Sequence, residues 1–417
     1  MPKAEGKQNK IKCANCGKNP VPHFVFWYFE SADVFLQGFR KFLFYNFVSG
    51  WIKKQSAKIS FGIFFVKIGL ALKILSFNND ISQCKVPRAK VLWQEAIRRG
   101  IEMRELLLFG KPFDCYTASY KQKAISYQLV FSGLPRPEEG NNSRLDLMDD
   151  KAVFKTWLEK EKIPISKGGS VWSFNQAKKV FRQIQKPVIV KPRAGSRGRH
   201  STTFVDTEAE LRKAFKIAKK LCFWVMVEEQ LMGPVYRATL INFELCGVLR
   251  GDPPQVMGDG ENSIRELIGI KNREKPSGVN DIVIDEGMGR FIERQISNQS
   301  LNFKAQTLNP IFNYIPKRGE IVSLSEKIGL NYGGSSREDY EICHSDNKEL
   351  FVATAKVVSD PIVGFDFIIP DITKSWKEQR CGFIEANSLP FINLHHYPLL
   401  GKPRNVAAKV WDMMGVQ

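Results

Sequence analysis

Residues that could do chemistry gather in two places along the chain. The first is the stretch 186–201, Lys-Pro-Val-Ile-Val-Lys-Pro-Arg-Ala-Gly-Ser-Arg-Gly-Arg-His-Ser. Its apolar run Val188, Ile189, Val190 predicts a short buried strand that ends at Lys191. A loop follows in which Gly195 and Gly198 lie among Ser196, Arg197, Arg199 and Ser201. Glycines let backbone N–H groups approach an anion closely, and Lys191 with the arginines adds positive charge, so the loop reads as a phosphate trap. A solvated basic hairpin fits the same residues. The spacing is neither that of a Walker P-loop nor that of a Gly-x-Gly-x-x-Gly dinucleotide turn. The second place is a pair of apolar stretches, 364–369 and 382–387, which read as neighbouring strands. Glu385 and Asn387 are two residues apart and share a face. The right register would add Asp366 to that face. Three hard oxygen donors suit Mg²⁺ when phosphates complete its shell; a solvated strand face is the alternative.

The elements that position these groups are legible in order. Asp149 and Asp150 precede a helix at 151–162, which Ile163-Pro164 stops. A second helix, 173–184, leads into the loop stretch, and Thr207-Glu-Ala-Glu opens a third with a capping box. The run 223–227 predicts a buried strand carrying Glu228, Glu229, Gln230 and Leu231 at its end. Stretches 236–241 and 245–250 read as a strand pair, and 256–260 leads into a helix at 263–268. Upstream, 89–96 reads as a helix, 101–109 and 115–118 as strands with Lys111-Pro112 as a break, and Pro135 to Ser143 as a linker.

Composition narrows the class. Apolar residues make up 43% and charged residues 25% of the 417, which suits a folded soluble protein. The net charge of +19 favours anionic partners. No zinc-finger, recognition-helix or RNA-binding signature accompanies that charge, so no specific nucleic acid is expected. Eight scattered cysteines do not make a disulfide scaffold, and a reducing cytoplasm is the simpler reading. Cys13 and Cys16 resemble half a zinc knuckle, but no second Cys-x-x-Cys follows. They read as an incidental pair in a basic flexible tail, 1–20. The tail is polar and is not a secretory signal. Phe35, Phe39 and Phe42 recur at helical spacing with Arg40 and Lys41 between them, in an aromatic-rich helical segment, 21–78. Its run 60–77 carries Lys67 and Lys73, each costing roughly 2.5–3.5 kcal/mol at a membrane centre. It is read as a buried or surface helix, not a span. A peripheral membrane contact through 21–78 stays open.

The pieces in this order resemble the ATP-grasp superfamily, above all the ATP-grasp module of cyanophycin synthetases and of bifunctional glutathione synthetases, and more distantly D-alanine–D-alanine ligase. The match is carried by Asp150-Lys151 with Ile163-Pro164-Ile165, by Val188 to Gly198, by Glu228 to Arg237, and by Val256-Met257-Gly258-Asp259-Gly260. It continues through Asn331, Gly333-Gly334, Asp339 and His344, the Asp366, Glu385 and Asn387 set, His395, and Gly401 to Val406. The resemblance implies an α+β fold: an ATP-grasp domain over 148–417, two α+β lobes sandwiching ATP, preceded by a small α/β pre-ATP-grasp-like unit, 79–147. It implies that Lys151 and Lys191 contact ATP phosphates and that the loop of Gly195, Ser196 and Gly198 closes over them. Glu228, Glu229 and the backbone near Leu231 would hold adenine. Arg237 and Arg250 would face the phosphate and substrate end as catalytic groups. Asp366, Glu385 and Asn387 would ligate magnesium, with Mn²⁺ as a substitute.

Such enzymes phosphorylate a carboxylate, and an amine attacks the acylphosphate. The resemblance therefore implies a Mg- and ATP-dependent ligase forming a C–N bond between small amino-acid or peptide substrates, cytoplasmic and with a homo-oligomer left open. The departures are Val235, where relatives place a ribose-binding carboxylate, and Phe391 and Asn393 near the substrate. Full cyanophycin synthesis is not expected, because the sequence ends at Gln417. A nucleotide-binding scaffold without turnover is the alternative.

Overall fold

The computed structural model describes residues 13, 15–16, 21–43, 66–122, 125–137, 145–195, 198–298, 309–325 and 328–416. Ser196, the linker 140–143, and the side chains of Phe35, Phe39 and Phe42 lie outside the described residues. The chain divides into two compact units.

The first unit comprises Met1–Phe35, Lys167–Gln230 and Asp252–Ser335. It holds the first part of helix α1 (His23–Leu43), whose Ser31 hydroxyl accepts the Phe223 N–H at 2.9 Å and whose Trp27 meets Phe223 edge-on. Further strands and helices are numbered here by their place in the whole chain. The unit's sheet runs β5 (Gly168–Val171), β8 (Val225–Glu229), β6 (Val188–Pro192), β7 (Thr202–Val205), with antiparallel neighbours. Helices α5 (Phe174–Gln183) and α6 (Glu208–Lys219) bury Phe181, Leu211 and Phe215 against Val188, Val190 and Val227. Both start as their sequences require. Ser173 with Gln176, and Thr207 with Glu210, form reciprocal capping boxes that satisfy the first orphan N–H groups. A ribbon of β11 (Gln255–Met257) and β12 (Ile321–Ser323) packs with α7 (Ile264–Glu274), α8 (Glu286–Asn298) and α9 (Asn309–Phe312) around Ile264, Ile292 and Phe312.

The second unit comprises Leu36–Ser166, Leu231–Gly251 and Ser336–Gln417. Its larger sheet runs β15 (Gly382–Asn387), β14 (Ile362–Ile368), β9 (Val235–Ile241), β10 (Glu244–Asp252), β13 (Ser335–Glu338), β16 (Leu400–Gly401). Helices α4 (Lys151–Lys160) and α10 (Ser345–Val358) place Phe154 and Phe351 in an aromatic core with Phe365, Phe367 and Phe383. The smaller sheet is a meander of β1 (Leu75–Asn78), β2 (Glu102–Leu108), β3 (Lys111–Gln122) and β4 (Ile125–Ser132). It shares a core with α2 (Pro87–Arg98) and the last helix α12 (Val406–Met413), where Trp411 Nε1 donates to the Leu92 carbonyl at 3.0 Å. The short helices α3 (Leu145–Met148) and α11 (Asn393–His396) complete the order.

Two expectations change here. Lys111-Pro112 does not break the chain but starts β3. The turn falls at Phe109 and Gly110, both at positive φ, and Pro112 pairs only with β2, because β4 begins its register at Cys115. The run 60–77 is not one helix: 66–71 is helical and the end becomes edge strand β1. Among the described residues no helix is long and apolar enough to cross a membrane.

Candidate active site

In the second unit, three neighbouring strands set one polar row. Arg237 on β9 stands opposite Asp366 on β14, which stands opposite Glu385 on β15. Directly opposed residues point to the same side of a sheet. The guanidinium of Arg237 grips Asp366 bidentately, Nε to Oδ1 and Nη2 to Oδ2 both at 2.8 Å. Asn387 lies two residues past Glu385, as the sequence required for a shared face. Its Nδ2 is buried without a hydrogen-bond partner among the described residues.

Lys151 reaches this row from the start of α4, its Nζ 3.7 Å from Glu385 Oε2. The helix begins there because the Asp150 carboxylate caps it, accepting from Ala152 N at 2.9 Å and Val153 N at 3.2 Å. Phe154, one turn on, stacks on Phe365 and fixes the helix to the sheet. Asp149 ties the same corner to the end of β15, accepting from the Ser388 N–H and hydroxyl at 2.7 and 2.6 Å.

Burial pushes the Asp366 carboxyl up to about 6; Arg237 opposes that shift and Glu385 reinforces it. A divalent cation would add to the positive charge that Arg237 already brings to this desolvated carboxylate. The donor set is hard, two carboxylates with the Asn387 amide oxygen on the same strand face, so the residues fit Mg²⁺. Mn²⁺ accepts the same donors.

Arg250 does not join the row. It stands opposite Tyr236, one residue out of step with Arg237, so the two arginines occupy opposite faces of β9–β10. Burial raises the Tyr236 hydroxyl to about 12, and the Arg250 charge opposes that rise. Leu231 is buried, with its side chain close to Gly382, so only its backbone is left for a ligand. The ring of Phe391 lies under the Arg237 guanidinium, 5.9 Å from its centroid. His395 turns inward: its Nδ1 is 2.6 Å from Glu338 Oε2 and its Nε2 is 2.7 Å from Thr239 Oγ1, all buried.

In the first unit, Lys191 at the end of β6 pairs with Glu228 at 3.0 Å. Lys191 stands opposite Met226, two residues before Glu228, so both side chains share one face. Both are buried. Glu229 points to the other face, where its carboxylate accepts the Lys167 N–H at 2.9 Å and holds the strand end. Gly195 and Gly198 take φ of 107° and 61°, conformations that favour glycine. Sequence reasoning did not find Asp149, Glu338 or Thr239. The Asp149 contact was open to inference only as part of the Asp149-Asp150 pair, and the Glu338–His395–Thr239 network carries no local signal.

No family model matches the chain. It is 30% identical over 333 residues to the glutathione biosynthesis bifunctional protein GshAB of Clostridium perfringens, which covers 78% of this chain and 40% of that protein. It is 28% identical over 275 residues to the cyanophycin synthetase of Crocosphaera subtropica, covering 65% and 30%. Among solved structures, a bifunctional glutathione synthetase from Pasteurella multocida superposes with a TM-score of 0.51 at 24% identity, over 79% of this chain and 44% of that one. The fold is that of an ATP-grasp protein, and the chain belongs to that superfamily. Its relatives there include the bifunctional glutathione-biosynthesis proteins and the cyanophycin synthetases. The chain spans less than half the length of these relatives.

Proposed function

We propose that the protein is a Mg²⁺- and ATP-dependent ligase that joins a carboxylate to an amine through an acylphosphate. The observation that carries this reading is the register-locked row of Arg237, Asp366 and Glu385, with Lys151 at its edge and Asn387 beside it. Asp366, Glu385 and Asn387 would hold magnesium or manganese, and the bound ion would neutralise charge on the transferring phosphoryl group. Lys191 and the Gly195–Gly198 loop bind ATP phosphates, Lys191 leaving Glu228 to do so. Lys151 likewise exchanges Glu385 for a phosphate oxygen. Glu228 and the Leu231 backbone frame the adenine, and Glu229 holds the strand end from the other face.

The carboxylate of one substrate attacks the γ-phosphorus, and ADP leaves. The amine of the second substrate then attacks the acyl carbon, phosphate departs and the amine loses a proton. Arg237, on the face of the row, orients the carboxylate. The substrates are amino acids or peptides, and the net charge of +19 suits an acidic one.

Residues 148–417 carry the ligase fold, with 79–147 as its pre-ATP-grasp-like companion. The enzyme works in the cytoplasm, as a single chain or a homo-oligomer. Phe24, Tyr28 and Phe29 are exposed on α1 and support a peripheral membrane contact within 21–78.

The test is phosphate release from MgATP against a panel of amino acids and dipeptides, with mass spectrometry of products. Release that needs both a carboxylate and an amine, with a product equal to their sum less water, supports the ligase. ATP binding without release under every pair would favour a nucleotide-binding scaffold, the reading that Val235 at the start of β9 suggests.

A further inference from the structure

Cys13 and Cys16, an incidental pair by sequence, are seated in the first unit against the loop that follows Lys191. The Cys16 N–H donates to the Cys13 carbonyl at 3.0 Å, and the His200 N–H donates to the Asn15 carbonyl at 3.0 Å. Helix α1 starts at His23 and brings that imidazole to the same point. The sulfurs of Cys13 and Cys16 and a ring nitrogen each of His23 and His200 all lie within 4.8 Å of one another. His200 Nε2 is 3.5 Å from each sulfur, and His23 Nε2 is 3.2 Å from Cys16 Sγ. The two imidazoles meet edge-on at 85°. With Zn–S near 2.3 Å and Zn–N near 2.0–2.1 Å, tetrahedral geometry sets sulfur and nitrogen about 3.6 Å apart. The spacing observed is that of a ligand shell.

His200 Nδ1 lies 2.8 Å from the Ile217 carbonyl oxygen, which can only accept. Nδ1 therefore carries the proton, and Nε2 presents one lone pair to two sulfurs. His23 Nε2 approaches Cys16 as well, so two imidazole nitrogens converge on two thiol sulfurs, the donor set of a Cys2His2 site. A backbone carbonyl holding Nδ1–H is also how metal-bound imidazoles are oriented. Cys16 and His200 are 2% and 0% exposed, and Cys13 and His23 are half-buried beside them.

We propose that Cys13, Cys16, His23 and His200 bind one structural zinc ion. Both thiols lose their protons to solvent as Zn²⁺ binds, and the four protein ligands leave no open position for catalysis. The ion staples the N-terminal segment and α1 to the loop carrying Gly195 and Gly198. This inference stands whether or not the protein is a ligase.

The test uses the full chain, carrying no polyhistidine tag and purified without chelator. Metal analysis is expected to find about one zinc per chain, falling to background in a Cys13→Ser/Cys16→Ser double variant. Cobalt titrated into demetallated wild-type protein is expected to give tetrahedral d–d bands with thiolate charge transfer. X-ray absorption of the zinc protein should show a shell of two sulfurs and two nitrogens. The cobalt and X-ray readouts need no variant, so a misfolded mutant does not shield the proposal. Wild-type protein that takes up neither zinc nor cobalt, a metal content unchanged in the double variant, or a shell without sulfur would each overturn it.

Discussion

Replacing Arg237 by Met should shift the pH at which the acid row accepts a metal. In the native protein burial lifts Asp366 to about 6, with the Arg237 charge already holding it down. Removing a cation at 2.8 Å raises a neighbouring carboxyl by roughly 1–3 units, moving the acid limb of metal binding to about 7–9. Metal binds only the ionised form. Affinity for Mn²⁺ at neutral pH should therefore fall about 2- to 100-fold, and recover at higher pH. The assay is calorimetric or paramagnetic titration of Mn²⁺ from pH 5 to 9.5, which needs no turnover and is independent of any role of Arg237 in catalysis. The sign for stability follows from the same shift. The raised folded value means that the metal-free fold favours the protonated acid, and the associated stability, about 3 kcal/mol, is present below pH 4 and lost as pH rises through 6. Magnesium should then raise the melting temperature more at pH 8 than at pH 5. An acid limb that stays put in Arg237→Met, or an affinity lost equally at every pH, would refute the reasoning.

Two other perturbations test the parts separately. Lys191→Ala should abolish phosphate release and also destabilise the first unit, because Glu228 is 1% exposed and loses its ion pair; breaking such a pair typically costs about 3–5 kcal/mol. Adding Glu228→Gln should recover much of the melting temperature but none of the turnover, and wild-type-like release in either variant would remove Lys191 from the site. Asp150→Ala removes the α4 cap and should cost about 0.5–2 kcal/mol in urea unfolding. It should also raise KM for ATP, since Lys151 sits on the first turn; an unchanged KM would show that the cap does not position Lys151.

The parts that were legible are those written in local chemistry. Ser173, Thr207 and Ser263 each start a helix by a side-chain rule that needs only three following residues. Strand alternation was enough to place Glu385 and Asn387 on one face, and the pairing with β14 delivers Asp366 beside them. The arginines show the limit of that logic. Both were assigned to the substrate end, but their faces depend on the register of β10 on β9, which the sequence of either strand alone does not encode. Strands β1 and β4 do alternate, Leu75 and Phe77 against Ser76 and Asn78, and Ile125, Tyr127, Leu129 and Phe131 against Ser126, Gln128 and Ser132, a local signal that sequence reasoning missed. The N-terminal cysteines were read as a loose tail because the partner His200 lies 184 residues beyond Cys16, a separation no local pattern bridges. The described residues up to Phe35, namely Cys13, Asn15, Cys16 and 21–35, fall in the unit that holds Lys191.

The central claim is an acylphosphate, and the most direct measurement follows oxygen. A carboxylate labelled with heavy oxygen is supplied with its amine and MgATP, and released phosphate and product are weighed by mass spectrometry. The account predicts one labelled oxygen in phosphate and one in the amide for each bond formed. Label retained wholly in the product, or phosphate release that needs no carboxylate, would contradict it.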